Sequence, residues 1–87
     1  MANIQSAKKR ARQAEERRQH NIALKSRMRT RMKAVLKAIS SGDKETATNE
    51  YRAAVPAIDK AAGKGLIEKN RAAKYKSRLN ARLRAMS

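Results

Sequence analysis

The side chains in this sequence that could do chemistry are its cations. Twenty-three lysines and arginines stand against seven aspartates and glutamates in 87 residues, a formal charge of +16. Lys8, Lys9, Arg10, Arg12, Arg17, Arg18, Lys25, Arg27, Arg29, Arg31, Lys33 and Lys37 crowd the first 37 positions against Glu15 and Glu16 alone, leaving that stretch at +10. Residues 38–62 hold three basic and four acidic side chains, and residues 63–87 hold eight basic and one acidic, so the segments stand at −1 and +7. Lysine and arginine neutralise phosphates and release condensed counterions, which supplies most sequence-independent affinity for nucleic acid. Arginine grips a phosphate through two N–H groups, whereas lysine acts as a point charge. Asn21, Ser26, Thr30 and Ser77 lie among these cations and could bond phosphate oxygens or ribose hydroxyls. A charge this large points to a polyanionic partner, because without one it opposes the compact state.

The remaining chemistry is thin. There is no cysteine, so disulfides and thiolate metal sites are excluded, and His20 is the only histidine. No nucleophile–base set and no glycine-rich phosphate loop is present; Gly63-Lys64-Gly65 is too short for one. Glu15 and Glu16 read as relief of repulsion along a helix, for example with Arg12 and Arg18, and not as an acid–base pair. Tyr51 and Tyr75 are the only aromatic residues and read as core-edge side chains. With so few stacking platforms, the expected target is a folded, phosphate-lined shape. Met28 and Met32 read as core filler. No catalytic residue, metal or cofactor is expected.

The elements that must position these cations are helices. Nothing alternates apolar and polar residues with β-branched enrichment. The first 41 residues lack glycine and proline and are rich in strong helix formers. The pattern predicts a first helix over about 4–39, with Asn3 or Ser6 as its cap. Leu24, Met28, Met32, Val35, Leu36 and Ile39 recur at spacings of three and four and define one packing face. Before Leu24 no such face exists, so residues 1–23 are expected to project as a basic arm.

Ser40-Ser41-Gly42-Asp43 should end this helix, with Gly42 in a left-handed conformation and Asp43 capping the next. A second helix over about 44–62 shows Ala47, Tyr51, Ala54, Ile58 and Ala61 as a seam, with a kink expected near Pro56. A third, over about 67–86, buries Ala72, Tyr75, Leu79, Leu83 and Met86, with Asn70 a possible cap. Arg71, Lys74, Arg78 and Arg82 form a basic stripe on its flank. Short links between helices favour antiparallel neighbours. The expected fold is one all-α domain, an antiparallel three-helix bundle with a long basic N-terminal helix projecting from it.

Among polyanions, an anionic membrane surface would demand a clean apolar face along the whole basic helix, which the first half lacks. A DNA-compacting protein would share the charge, but no helix-turn-helix or β-arm is evident. A structural RNA binder fits a helix that is basic on every side. No apolar run approaches a spanning helix and no apolar signal core opens the chain, so a cytosolic protein is expected.

The residues also carry a family resemblance. The opening Met1-Ala2-Asn3-Ile4-Gln5-Ser6-Ala7-Lys8-Lys9-Arg10 resembles that of the bacterial small-subunit ribosomal protein twenty family. So do His20-Asn21, Lys25-Ser26 with Arg29-Thr30, the Gly42-Asp43-Lys44 link and Pro56. Lys64-Gly65-Leu66-Ile67-Glu68-Lys69-Asn70-Arg71-Ala72-Ala73 is similar to the start of that family's third helix, continuing through Lys76-Ser77-Arg78-Leu79. The resemblance spans nearly the whole chain.

It implies a three-helix protein of the cytoplasmic ribosome that binds small-subunit ribosomal RNA directly. It also implies a role in assembly, joining the RNA's five-prime domain to its long penultimate helix. Other small-subunit components would be neighbours by proximity; no membrane partner and no homo-oligomer is expected. By position, the implied contacts are Lys8, Lys9, Arg10, Arg12, His20, Asn21, Ser26, Arg29 and Thr30, then Lys69, Asn70, Arg71, Lys76, Ser77 and Arg78. The charge pattern adds Arg17, Arg18, Arg27, Lys33, Lys74 and Arg82. Family members often carry histidine where this chain has Glu68, and a carboxylate there would repel phosphate, so residue 68 is left out of the site.

Overall fold

The computed structural model describes residues 2–86, with backbone alone for residues 2 and 3. Three helices account for nearly all of it: α1 over Ala2–Ser40, α2 over Lys44–Gly63 and α3 over Lys69–Arg84. No strand occurs among the described residues. At about 1.5 Å per residue, a helix of 39 residues is roughly 58 Å long. It therefore sets most of the molecule's long dimension of 67 Å, against 23 and 14 Å across.

Helix α1 begins two residues before the expected Ile4, so Asn3 and Ser6 lie inside it and neither is its cap. From Leu24 onward it buries Leu24, Met28, Val35 and Ala38, with Met32, Leu36 and Ile39 half-buried beside them. The periodic face of large apolar residues is thus the packing face. Ala38 joins it because it meets Ala47 of α2 and Leu83 of α3, where three backbones approach closely.

Two adjacent residues, Gly42 and Asp43, end α1 and start α2. The Gly42 N–H donates to the Ile39 carbonyl at 3.1 Å and the Asp43 N–H to the Ala38 carbonyl at 3.3 Å. Those two bonds make a Schellman motif, which needs a left-handed residue, and Gly42 has φ of 79°. The Asp43 carboxylate then accepts from the Thr46 hydroxyl at 2.6 Å and the Thr46 N–H at 3.1 Å, capping α2. These bonds, the hydroxyl first, hold the Asp43 carboxyl below its ordinary value.

Helix α2 buries Ala47, Ala54 and Ala61 at a spacing of seven, with no exposed area on any of them. Tyr51 and Ile58 fall between, which is the heptad arrangement of a helix lying along a partner. Alanine at those positions lets α1 approach closely, and the α1–α2 interface is the most extensive in the molecule. The helix runs through Pro56 without interruption. The bond Pro56 cannot make would go to the carbonyl of Arg52, and both residues are exposed.

The second link repeats the first. Gly65 has φ of 74°. Its N–H donates to the Ala62 carbonyl and the Leu66 N–H to the Ala61 carbonyl, both at 3.0 Å. Leu66 and Ile67 then bend and pack against the core, and after Glu68, whose backbone is extended, α3 starts at Lys69. Asn70 is the second residue of α3 and not its cap; Glu68 holds the cap position with no side-chain capping bond. The helix ends at Arg84, short of Met86, which still packs against Ala38, Ala47 and Leu83.

The path of the chain follows from the two core clusters. Met28, Ile58, Ala61 and Ala72 meet at one end with Leu66, and Ala38, Ala47 and Leu83 meet at the other. Residues late in α1, early in α2 and late in α3 therefore share an end, which makes the three helices successively antiparallel. Tyr51 ties α2 to α3 by donating its hydroxyl to the Lys76 carbonyl at 3.3 Å. No buried polar side chain occurs among the described residues.

Candidate nucleic-acid interface

Every residue from Ile4 to His20 is exposed, seventeen in succession. At about 100° per residue, Lys8, Lys9, Arg10, Arg12, Arg17, Arg18 and His20 point in almost every direction around the α1 axis. The arm is helical, and no other element of the chain packs against it.

Local bonds consume little of this charge. Arg18 holds Glu15 through two bonds, Nε to Oε2 at 3.0 Å and Nη2 to Oε1 at 2.7 Å, and the Gln19 amide adds a third at 3.2 Å. The Arg18 bond keeps the Glu15 carboxyl below its ordinary value and raises Arg18 in turn. Both groups are solvent-exposed, so the pair tempers repulsion and adds little stability. Of the two cations offered as partners for Glu15 and Glu16, Arg18 forms an ion pair and Arg12 forms none among the described residues. Arg17 donates weakly to the Gln13 carbonyl at 3.5 Å.

Asn21, near the end of the arm, is half-buried, and beyond the arm Ser26, Arg27, Arg29, Thr30 and Lys33 are exposed on the part of α1 that packs. On α3, Lys69, Asn70, Arg71, Lys74, Ser77, Arg78 and Arg82 are exposed. Lys76 differs: it is half-buried and donates to the Asp59 carboxylate of α2 at 2.7 Å, so part of its charge serves the bundle. Arg71, Tyr75, Arg78 and Arg82 are spaced four, three and four and share one face.

Tertiary packing adds a residue absent from the sequence-based set. Lys25 of α1 lines the same hollow as Arg29 and as Arg71 of α3, above Leu66 and Ile67. The two basic helices converge there. No periodicity within α1 marks Lys25; its role emerges only when α3 lies beside it.

Helix α2 presents the contrast. Its Lys44 donates to the Met86 carbonyl at 3.3 Å, and its Asp59 is taken by Lys76. Among the described residues no grouping of His, Asp and Glu could hold a metal ion, and no helix is long and apolar enough to cross a membrane. The arrangement can bind extended anionic surfaces along the arm and along the exposed face of α3.

The model of the ribosomal protein S20 family matches residues 2–84. The small ribosomal subunit protein bS20 of Thioalkalivibrio sulfidiphilus is 65% identical over 86 residues, covering 99% of this chain and 100% of that protein. The bS20 of Methylococcus capsulatus is 59% identical, covering 100% of this chain and 95% of that protein. The bS20 of Colwellia psychrerythraea is also 59% identical, over 99% and 100% of the two chains. With near-complete coverage at such identity, this chain belongs to the ribosomal protein S20 family.

Proposed function

We propose that this chain is an architectural component of the bacterial small ribosomal subunit, binding small-subunit ribosomal RNA directly and supporting its folding and assembly in the cytoplasm. The arm enters a phosphate-lined cleft between RNA segments, and the α3 face of Arg71, Lys74, Arg78 and Arg82 meets a second wall. A protein holding two RNA segments at once stabilises their packing and speeds assembly. It works as a structural protein and not as an enzyme, which accords with a family of ribosomal proteins.

The observation that carries this reading is the arm: seventeen exposed residues in one helix, basic on every side. A flat partner could neutralise only one side of such a helix, whereas a cleft in folded RNA surrounds it. A membrane offers no such surround, and the exposed large apolar residues Ile4 and Ile22 lie far apart on the arm. A formal charge of +16 also opposes self-association. Other small-subunit components are then neighbours, reached mainly across the near-neutral α2.

Co-sedimentation with small subunits over a salt series tests the proposal. The chain is expected to stay with the subunit at salt that strips loosely adsorbed basic proteins. Release at the same salt as a generic polycation, or equal binding to duplex DNA, would favour the DNA-compacting reading instead.

A further inference from the structure

The seam between α1 and α3 has a hollow on each side of Tyr75. The larger, of about 390 Å³, has an apolar floor of Met32, Leu36 and Leu79 and carries Arg78 and Arg82 at its rim. The smaller shares Met32 and Tyr75 with it and brings in Lys25, Arg29 and Arg71. Five cations and no carboxylate thus line the two hollows around a single half-buried aromatic ring. The hydroxyl of Tyr51 is spent on the Lys76 carbonyl, whereas that of Tyr75 has no hydrogen-bond partner among the described residues.

The chemistry of an occupant follows. It has a flat apolar face to lie against Tyr75 and the aliphatic floor. It carries negative charge on both flanks, since cations stand on both sides of the ring. Its edge offers acceptors, because the rim supplies only donors. The volume is that of a small-ligand site. Arg78 and Arg82 are one turn apart, about 6 Å along the axis, and guanidinium groups both bind phosphates and stack on bases. A peptide would need carboxylates placed on both sides of the ring. A nucleic-acid strand has its charges there by construction.

We infer that this seam is a seat for one unpaired nucleotide of the bound RNA, its base against Tyr75 and its flanking phosphates held by Arg78 and Arg82 on one side and by the Lys25, Arg29 and Arg71 group on the other. The inference rests on the RNA-binding reading above, and it gives α3 one base contact in addition to its phosphate contacts. Tyr75 becomes a binding residue in its own right.

Two measurements on the full chain with small-subunit ribosomal RNA test it. Tyr75→Leu keeps an apolar side chain but removes the ring, and the affinity should fall about tenfold, the scale of losing one base stack. The slope of log affinity against log salt should stay unchanged, because no phosphate contact is lost. Tyr75→Phe should restore most of the affinity. Ultraviolet cross-linking of the unmodified chain, read by mass spectrometry, should place a nucleotide adduct on Tyr75 and none on Tyr51. That second readout stands even if Tyr75→Leu lowers the stability of the bundle. Wild-type affinity in Tyr75→Leu, or an adduct confined to Tyr51, would overturn the seat and leave the hollow to a protein segment. Failure of the unmodified chain to bind this RNA in a salt-dependent way would instead defeat the RNA-binding reading itself.

Discussion

Replacing Lys8, Lys9 and Arg10 together with Gln is expected to weaken binding to small-subunit ribosomal RNA strongly and to flatten its salt dependence. Each phosphate contact contributes about 0.7–0.9 to the slope of log affinity against log salt, so three lost contacts should lower its magnitude by about 2. Glutamine has nearly the helix propensity of lysine and arginine, so the arm's geometry is retained. The three residues lie on different sides of an exposed helix, and a cleft that surrounds the arm would register all of them. The matched control is Lys44→Gln with Lys60→Gln on α2. That pair removes two charges from a segment whose formal charge is −1, and its slope should stay near that of the unmodified chain. A control pair as costly as the arm triple would overturn the division between a binding arm and a structural α2.

The second large effect is on stability. Leu79 is 4% exposed within the main core cluster, and Leu79→Ala is expected to cost about 2–5 kcal/mol. Val35→Ala, at a fully buried site, should act in the same direction with a smaller loss of volume. In a small domain, whose stability is typically at the low end of 5–15 kcal/mol, a loss of this size lowers the melting temperature sharply. Ala47→Glu attacks the other end of the bundle. Ala47 has no exposed area and sits against Ala38 and Leu83, so an introduced carboxylate would be buried without a partner. Thermal melts followed by helicity check both, and an unchanged melting temperature for Leu79→Ala would contradict the packing of α3 described here.

Most of this fold was legible in the sequence because each helix carries its own signal. The seams Leu24–Ile39 and Ala47–Ala61 follow from spacings of three and four, and Gly42 with Asp43 announces a helix end and a cap in adjacent residues. The start of α3 was less legible. Leu66 and Ile67 look like helix, but they pack against the core in a bend, and the helix waits until Lys69. Tertiary packing overrode a local preference there. Ala38 escaped the seam because alanine is a weak apolar signal until two other backbones close over it.

The candidate site divides similarly. The arm could be read from charge without any face to bury. Lys25 and the hollows beside Tyr75 could not, because they exist only where α1 and α3 lie side by side. Lys76 shows the converse: a lysine that sequence placed among the contacts spends part of its charge on Asp59.

Amide exchange along the arm, compared between the isolated chain and the assembled small subunit, bears most directly on the claim that RNA surrounds this helix. In isolation Ala7–His20 has no tertiary contact and carries strong like-charge repulsion, so its amides should open locally and exchange fast while those of Val35 and Ile58 stay protected. In the subunit the same arm amides should become strongly protected, because opening the helix would then mean breaking its contacts on all sides. Strong protection of Ala7–His20 in the isolated chain, or exchange as fast in the subunit as outside it, would contradict the proposed role of the arm.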